Sequence, residues 1–388
     1  MYINRIIQSQ VELALKNKKV LFLLGARQVG KTTLIEHIIS DSQGILLNMD
    51  IDIDRARVKA AAKLSPPDAM RSLGAAHLLI IDEAQRESDI GRICKGWYDA
   101  KVEPKIILLG SSSHTLLETA AADLTGRNEK LWLTPLLFSE ILADQKWYSD
   151  SLEPASMHQD FGDQINALLL NRLIFGSYPE SYLAEDPRQY LTNLISDYLL
   201  KDIFTASLVR SPEDVRRLLV ELAQAIGQTI SINQLAARLK LSRQTVNRYL
   251  DLLAGIYVIF SVPAYSTNGD KEINKGRKYY FWDNGVKNAL QREWVVSTNR
   301  SDIKALWQNW VMAEIFKQSR TYNRQEDLYF WQSRAGSTVD LVVKQGNTLH
   351  AFDTHFEELD AKPSRAFYNL YRTAPQTIHQ NNFLEFLT

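Results

Sequence analysis

The first 150 residues alternate short, continuous apolar runs with amphipathic helical patterns. The runs span residues 20–24, 45–49, 78–81, 106–110 and 131–133. Runs of this kind are typical of strands that are buried on both faces of a parallel sheet. Because helical patterns separate the runs, we predict a layered α/β domain with right-handed crossovers.

The pattern changes twice more along the chain. Residues 163–210 show apolar spacing of three and four, which predicts helices interrupted at Gly176 and Pro179. From residue 211 onward, three further helical segments precede two strand-like runs, IYVIFSV and KYYFW. After residue 300, a long helical pattern leads into three strand-like runs joined by turns that contain glycine, which predicts a small α/β module.

Composition limits the classes of function. The 388 residues include 45 basic and 45 acidic side chains, so any preference for nucleic acid must be local. Cys94 is the single cysteine, which excludes an intrachain disulfide and a cysteine-built zinc site. The N-terminal residues lack the apolar segment of a signal peptide, and no run approaches the roughly 18 apolar residues of a membrane span. We therefore expect a cytoplasmic protein without a membrane partner.

Residues 25–32, GARQVGKT, fit the pattern G-x-x-x-x-G-K-[ST] between an apolar strand and a helical pattern. The glycines allow backbone N–H groups to converge on phosphate oxygens, and the following helix adds its positive end. In such a loop Lys31 reaches the β- and γ-phosphates and the Thr32 hydroxyl ligates Mg²⁺. The alternative is an ordinary strand-to-helix turn. The predicted ATP-binding residues are Gly25, Ala26, Arg27, Gln28, Val29, Gly30, Lys31, Thr32 and Thr33.

Two further strand ends carry polar residues that suit ATP hydrolysis. The run at 78–81 ends in Asp82 and Glu83. Asp82 would hold Mg²⁺ through water and Glu83 would polarise the attacking water, although acids at a strand end are often helix caps. The run at 106–110 is followed by Ser111, which could contact the γ-phosphate or the water, or could instead cap the next helix together with Ser112 and Ser113. We interpret His114 as part of that helix start.

Five motifs together resemble a prokaryotic family of AAA-type ATPases that pair an AAA_14 domain with a C-terminal DUF4143 domain. They are GARQVGKTTL, LLIIDEAQ, LLGSSSHTLL, LTGRNEKLWLTPLLFSE and GSYPE. These motifs occur in the order of the family, and the resemblance covers nearly the whole chain. The resemblance implies a sheet of order 5-1-4-3-2 with ATP at the carboxyl ends of the strands. It also implies catalytic roles for Lys31, Thr32, Asp82 and Glu83.

The same resemblance makes Arg127 a candidate arginine finger or sensor for charge on the γ-phosphate. From the residues alone, Arg127 could equally be a surface charge. Where the family often has Arg-Asp-Ile, this chain has Lys201, Asp202 and Ile203. Lysine keeps the charge but loses the bidentate fork of arginine, so a phosphate-sensing role there is in doubt.

Residues 231–254 predict a helix-turn-helix, and the loop that joins the two strand-like runs after it would be the wing. Residues 235–280 hold eight basic and three acidic side chains, which is the footprint of a DNA-binding surface in an otherwise neutral chain. The alternative is a helix-turn-helix that serves domain packing. The candidate contacts to double-stranded DNA are Arg243, Gln244, Asn247, Arg248, Lys275, Arg277 and Lys278.

The last hundred residues resemble the PD-(D/E)xK nuclease fold that this family often carries. Glu314 matches the helix acid of that fold, and Asp340 and Asp353 match the strand acids. His355 stands where the fold needs lysine, and histidine does not supply a constant charge at neutral pH. We therefore predict a degenerate site kept for binding or assembly, in which the two aspartates could still hold a metal weakly.

These patterns predict four domains. They are an AAA-like ATPase domain (1–152), a helical connecting segment (153–210), a winged helix-turn-helix domain (211–290) and a degenerate nuclease-like domain (291–388).

The predicted function is Mg²⁺-dependent binding and hydrolysis of ATP that controls the C-terminal half. That half would act on DNA or on a protein partner, which includes a second copy of the chain. Two alternatives are an ATP-regulated DNA-binding module with little turnover and an ATP-gated, metal-dependent nuclease. The sequence leaves open whether Arg127 acts in its own chain or on a neighbour.

Overall fold

The computed structural model divides the chain into two compact units. The first is Met1–Thr134 with the short segments Gly255–Tyr257 and Arg320–Tyr322, and the second comprises the remaining residues. The boundary at Thr134 falls inside the predicted first domain, and the four-domain division stays a prediction. The residues that the structure describes are 2–39, 44–111, 120–149, 151, 153–199, 211–267, 276–358 and 363–387.

The bounds of the elements follow the apolar patterns closely. The strands are β1 (Val20–Leu24), β2 (Gly44–Asn48), β3 (Leu78–Asp82), β4 (Lys105–Gly110), β5 (Asn128–Trp132), β6 (Ile259–Pro263), β7 (Arg277–Phe281), β8 (Asp327–Gln332), β9 (Thr338–Gln345), β10 (Thr348–Thr354) and β11 (Gln376–Ile378). The α-helices are α1 (Gln8–Leu15), α2 (Lys31–Ile38), α3 (Asp52–Ala61), α4 (Pro66–Leu73), α5 (Ile90–Asp99), α6 (Ala120–Asp123), α7 (Phe138–Ala143), α8 (Pro154–Phe175), α9 (Pro179–Leu183), α10 (Pro187–Asn193), α11 (Pro212–Gln224), α12 (Ile232–Leu239), α13 (Arg243–Gly255), α14 (Asn284–Gln291), α15 (Ile303–Thr321), α16 (Arg365–Tyr371) and α17 (Leu384–Leu387).

The first unit is built on a parallel five-stranded sheet. Its order is β2-β3-β4-β1-β5, which confirms the predicted order 5-1-4-3-2. Strands β1, β3 and β4 are buried along their whole length, as their continuous apolar runs predicted. Strand β5 begins at Asn128, three residues before the predicted start. The reason is that β5 pairs with β1 alone at the sheet edge, where its first residues are polar and half-buried.

The helical part of the second unit follows its capping signals. Ser211 accepts a hydrogen bond from the Asp214 backbone N–H, and Pro212 occupies the first turn of α11. The apolar faces of α12 and α13 are buried, and Leu239 and Val246 lie among their buried residues. Strands β6 and β7 then pair antiparallel. The arrangement accommodates a winged helix-turn-helix, which stays a prediction.

The C-terminal sheet has the order β11-β10-β9-β8. Its core includes Trp331, Val342 and Phe367, all fully buried. The end of the β6–β7 hairpin continues onto this sheet, because the Tyr265 backbone N–H donates to the Phe330 carbonyl at 2.7 Å. Helix α15 also contributes a polar contact, since Gln308 Nε2 donates to Asp340 Oδ1 at 2.8 Å.

Glu314 does not join Asp340 and Asp353, which corrects the predicted grouping of the three acids. Glu314 is fully buried, pairs with the Lys317 ammonium and accepts the Phe138 backbone N–H at 3.1 Å, so it anchors the start of α7. Gln308 is the α15 residue that reaches Asp340 instead. Gln308 and Glu314 are six positions apart on α15, which is about 9 Å along the helix axis.

Lys278 is buried between the hairpin and the C-terminal sheet, which corrects its predicted place on a DNA-binding surface. It is 5% exposed, and its Nζ lies 3.8 Å from Asp340 Oδ1 and 5.0 Å from the centre of the Phe330 ring. The adjacent Arg277 is exposed at the start of β7, whereas the four residues that follow it in the strand are buried. A run of basic residues in the sequence does not show which of the two neighbours, Arg277 or Lys278, is buried.

Lys278, Asp340 and Asp353 form a cluster of three charges, and the pKa values of Lys278 and Asp353 depend on their neighbours. Burial lowers the pKa of Lys278, while the carboxylates of Asp340 and Asp353 oppose that change. Burial raises the pKa of Asp353 to about 6, and the negative charge of Asp340 acts in the same direction. Lys278 therefore supplies the balancing cation for two acids that lie on neighbouring strands.

Replacement of Lys278 by alanine is expected to destabilise the protein by about 3 kcal/mol, because it leaves two partly buried acids without their cation. Urea denaturation of the whole chain measures the change. Arg277→Ala is the matched control and is expected to change the free energy of unfolding by less than about 0.5 kcal/mol, because Arg277 is exposed. Equal losses in the two variants would contradict the assignment.

Asp353 makes stability depend on pH. Its pKa is raised in the folded chain, so the folded state loses stability as the pH rises from the unfolded value near 4 through about 6. Asp353→Asn removes this cost, so the stability of the variant relative to the wild type should improve by about 1 kcal/mol between pH 5 and pH 8. Urea denaturation at both pH values tests this, with the exposed Asp327→Asn as control. An unchanged difference would refute the role of Asp353.

Candidate nucleotide-binding site

The loop between β1 and α2 has the backbone that its glycines predict. Gly30 has φ 92° and Gln28 has φ 61°, both in the left-handed region. A Cβ on Gly25 would lie 2.0 Å from the Leu133 carbonyl oxygen, so no other residue fits there without a backbone shift. The loop is thus held against the neighbouring strands of the sheet.

Arg5 is a structural support that sequence reasoning missed. Its buried guanidinium donates to the Val29 carbonyl at 2.8 Å and to the Thr134 carbonyl at 2.6 Å. These bonds join the N-terminal segment to the loop and to the end of the first unit. A single arginine ahead of a helix gives no signal of such a contact, because its partners are backbone groups far away in the sequence.

Lys31 and Thr32 are the first two residues of α2. The Lys31 side chain is buried, and its Nζ donates to the carbonyls of Gly25 at 2.9 Å and Ala26 at 2.8 Å. The ammonium therefore lies within the curve of the loop. Thr32 Oγ1 donates to Asp82 Oδ2 at 2.8 Å, which brings the two predicted Mg²⁺ ligands together. A hydroxyl and a carboxylate are hard oxygen donors that suit Mg²⁺.

Glu83 lies beside Asp82 and is held on several sides. Its backbone adopts φ 49°, and its N–H donates to Asp82 Oδ1 at 2.8 Å. Its Oε2 accepts hydrogen bonds from Ser111 Oγ at 2.9 Å and from Gln85 Nε2 at 2.5 Å. Gln85 Nε2 also donates to Ser111 Oγ at 2.9 Å. The structure thus brings Glu83 and Ser111 together, and Gln85 contacts both of them. Ser112, Ser113 and His114 lie outside the described residues.

Arg27 reaches across the site from the loop. Its Nη2 lies 3.2 Å from Asp50 Oδ2, and its Nε lies 3.9 Å from Glu83 Oε1. Arg86 Nε lies 2.9 Å from the other oxygen of Asp50. Asp50 was missed by sequence reasoning, because it follows the edge strand β2 without a motif of its own.

Arg127 lies at the amino-terminal ends of the strands, whereas the phosphate loop lies at their carboxyl ends. Arg127 precedes β5, its carbonyl accepts the Val20 N–H at the start of β1, and its Nε pairs with Asp99 Oδ1 at 2.7 Å. The five residues of β1 lie between Arg127 and the phosphate loop, a distance of about 16 Å along the strand. The structure therefore does not bring Arg127 to the nucleotide site of its own chain.

The candidate DNA contacts divide into three groups. Arg243, Gln244, Asn247 and Arg248 are all exposed on α13, and Arg277 is exposed on β7. Lys278 is buried. Lys275 lies outside the described residues, as do Lys271 and the Lys201–Asp202–Ile203 segment.

The candidate nuclease-like residues do not form one site. The Asp340 N–H donates to Asp353 Oδ1 at 3.3 Å, but Glu314 lies elsewhere. His355 follows the end of β10, where its backbone N–H donates to the Ile378 carbonyl at 3.0 Å. Within the described part of the chain, no group of three or more His, Cys, Asp or Glu residues could hold a metal ion. No helix in that part is both long and apolar enough to cross a membrane.

Comparison with known families identifies three segments. Residues 17–142 match an AAA domain (AAA_14), and residues 304–383 match a domain of unknown function (DUF4143). Between them, residues 166–296 match another domain of unknown function (DUF8612).

Similar proteins occur in bacteria and archaea. An uncharacterised protein of Mycobacterium tuberculosis is 25% identical over 352 residues, which cover 89% of this chain and 72% of the relative. An uncharacterised protein of Methanocaldococcus jannaschii is 24% identical over 360 residues, which cover 87% and 75%.

Among solved structures, a Walker-type ATPase of Pyrococcus abyssi is similar in fold. It has a TM-score of 0.50 and 18% identity, and the match covers 75% of this chain and 96% of that one. At this identity the likeness concerns the fold alone. The chain thus contains an AAA domain match (AAA_14) followed by a C-terminal DUF4143 match, which confirms the pairing that its motifs predicted.

Proposed function

We propose that the protein is a Mg²⁺-dependent ATPase whose nucleotide state controls its C-terminal half. The observation that carries the proposal is the hydrogen bond between Thr32 and Asp82, with Glu83 next to it and held by Ser111. The AAA domain match at residues 17–142 supports the same conclusion. An intact acid at position 83 favours turnover over simple nucleotide binding.

Each residue has a defined task in hydrolysis. The loop N–H groups and the Lys31 ammonium bind the β- and γ-phosphates. Thr32 and Asp82 would hold Mg²⁺, which neutralises phosphate charge when bound. Glu83 orients the attacking water and accepts its proton as the new P–O bond forms and the bond to the β-phosphate oxygen breaks. Ser111 keeps the Glu83 carboxylate in place through its hydrogen bond at 2.9 Å.

Lys31→Ala is expected to reduce ATP turnover by about 100-fold or more, because it removes a buried charge from the phosphate site. Phosphate release measured at saturating ATP and Mg²⁺ tests this. The exposed Lys63→Ala is the matched control and should retain the wild-type rate. Turnover that survives unchanged in Lys31→Ala would refute the site.

For the C-terminal half we propose binding to double-stranded DNA. The exposed polar face of α13 and the exposed Arg277 support this function. They suit phosphate and base contacts in a groove. Three features support binding rather than cleavage. Glu314 is engaged by Lys317, Lys278 balances the strand acids, and His355 replaces the lysine of the nuclease pattern.

The double variant Arg243→Ala/Arg248→Ala is expected to weaken binding to duplex DNA and to reduce the salt dependence of the affinity. Each lost phosphate contact should lower the slope of log K against log salt by about 0.9. Fluorescence anisotropy at several salt concentrations measures both effects. Arg216→Ala/Arg217→Ala on α11 makes the same change in net charge and serves as control. Equal effects of the two double variants would indicate general charge attraction rather than a recognition helix.

A further inference from the structure

We propose that Arg27 is a catalytic arginine that acts in its own chain, where it stabilises charge on the γ-phosphate and positions Glu83. The inference rests on the proposed ATPase function. The resemblance to AAA-type ATPases made Arg127 the candidate for this task. Arg127 instead lies at the amino-terminal ends of the strands, where it pairs with Asp99.

The position of Arg27 in the loop carries the first step. The Lys31 ammonium occupies the inside of the loop, where it contacts two loop carbonyls. The Arg27 side chain instead leaves the loop toward β3, and its Nε lies 3.9 Å from Glu83 Oε1. Water activated by Glu83 must attack a phosphorus held between Glu83 and Lys31. A guanidinium next to Glu83 is therefore adjacent to the charge that develops during the attack.

The second step concerns the two oxygens of Glu83. Ser111 and Gln85 both donate to Oε2, which fixes that side of the carboxylate with neutral donors. Oε1 faces Arg27. The carboxylate is thus oriented from both sides, and Arg27 supplies the cationic side.

The third step is the support of Arg27 itself. Asp50 Oδ2 lies 3.2 Å from Arg27 Nη2, and Asp50 Oδ1 lies 2.9 Å from Arg86 Nε. Asp50 thus steadies a side chain that is only 19% exposed. A planar guanidinium can keep its Nε near Glu83 while a terminal nitrogen meets a phosphate oxygen, which the single ammonium of lysine cannot do.

The test compares Arg27→Ala and Arg27→Lys with the wild type by steady-state ATP hydrolysis with Mg²⁺. We expect Arg27→Ala to lower kcat by about 100-fold or more while KM changes by less than about threefold, because the contact strengthens in the transition state. Arg27→Lys should retain an intermediate kcat, since it keeps the charge without the fork. Added guanidinium at millimolar concentration should partly restore kcat in Arg27→Ala, an effect that a structural role would not produce.

Three results separate the possible failures. Wild-type kcat in Arg27→Ala, in a protein where Lys31→Ala abolishes turnover, would overturn the role of Arg27 and leave the ATPase function intact. Loss of turnover in Arg127→Ala that depends on protein concentration, with normal Arg27→Ala, would assign the task to a second copy of the chain. Absence of turnover in the wild type would overturn both proposals. The exposed Arg71→Ala is the matched control and should keep the wild-type kcat.

Discussion

The parallel alignment of β1, β4 and β3 is the constraint on which the nucleotide-binding site depends. In this register Leu24 lies beside Gly110, and Ile81 lies beside Leu108. The carboxyl ends of the three strands therefore lie side by side. The loop, the acid pair and Ser111 all leave the sheet there. Thr32 can therefore reach Asp82 at 2.8 Å although 50 residues separate them in the sequence. Complete burial of the strands keeps this register in place, since a slip would expose apolar side chains.

Local strain is concentrated beside the proposed chemistry. Glu83 is a non-glycine residue with φ 49°, a conformation that costs about 1–2 kcal/mol. Hydrogen bonds from Ser111 and Gln85 to its carboxylate offset that cost and select one orientation of the side chain. The Glu83 carboxylate thus contacts Ser111 and Gln85, while the Asp82 carboxylate is engaged by Thr32.

Buried lysines organise the second unit. Lys278, Lys287 and Lys317 are each no more than 5% exposed, and each lies near an acid: Asp340, Asp302 and Glu314 respectively. Such pairs contribute little net stability compared with apolar packing, but loss of one partner is costly. The three buried pairs therefore determine which elements of the second unit pack against each other. Lys278 joins the hairpin to the C-terminal sheet, and the Glu314–Lys317 pair holds the start of α7.

The sequence by itself determined the first sheet, its loop and the acids at the end of β3, because continuous apolar runs and a glycine pattern are local signals. It also predicted three helices and two strands after residue 211, which the structure has as α11, α12, α13, β6 and β7. Only the tertiary structure decided which charges meet. Lys278 and Arg277 are adjacent in the same basic segment, yet one is buried against Asp340 and the other is exposed. Arg27 and Arg127 are equally charged, yet only Arg27 lies beside Glu83. The physical reason is that strand register and sheet edge set the distances between side chains, and no local pattern records those distances.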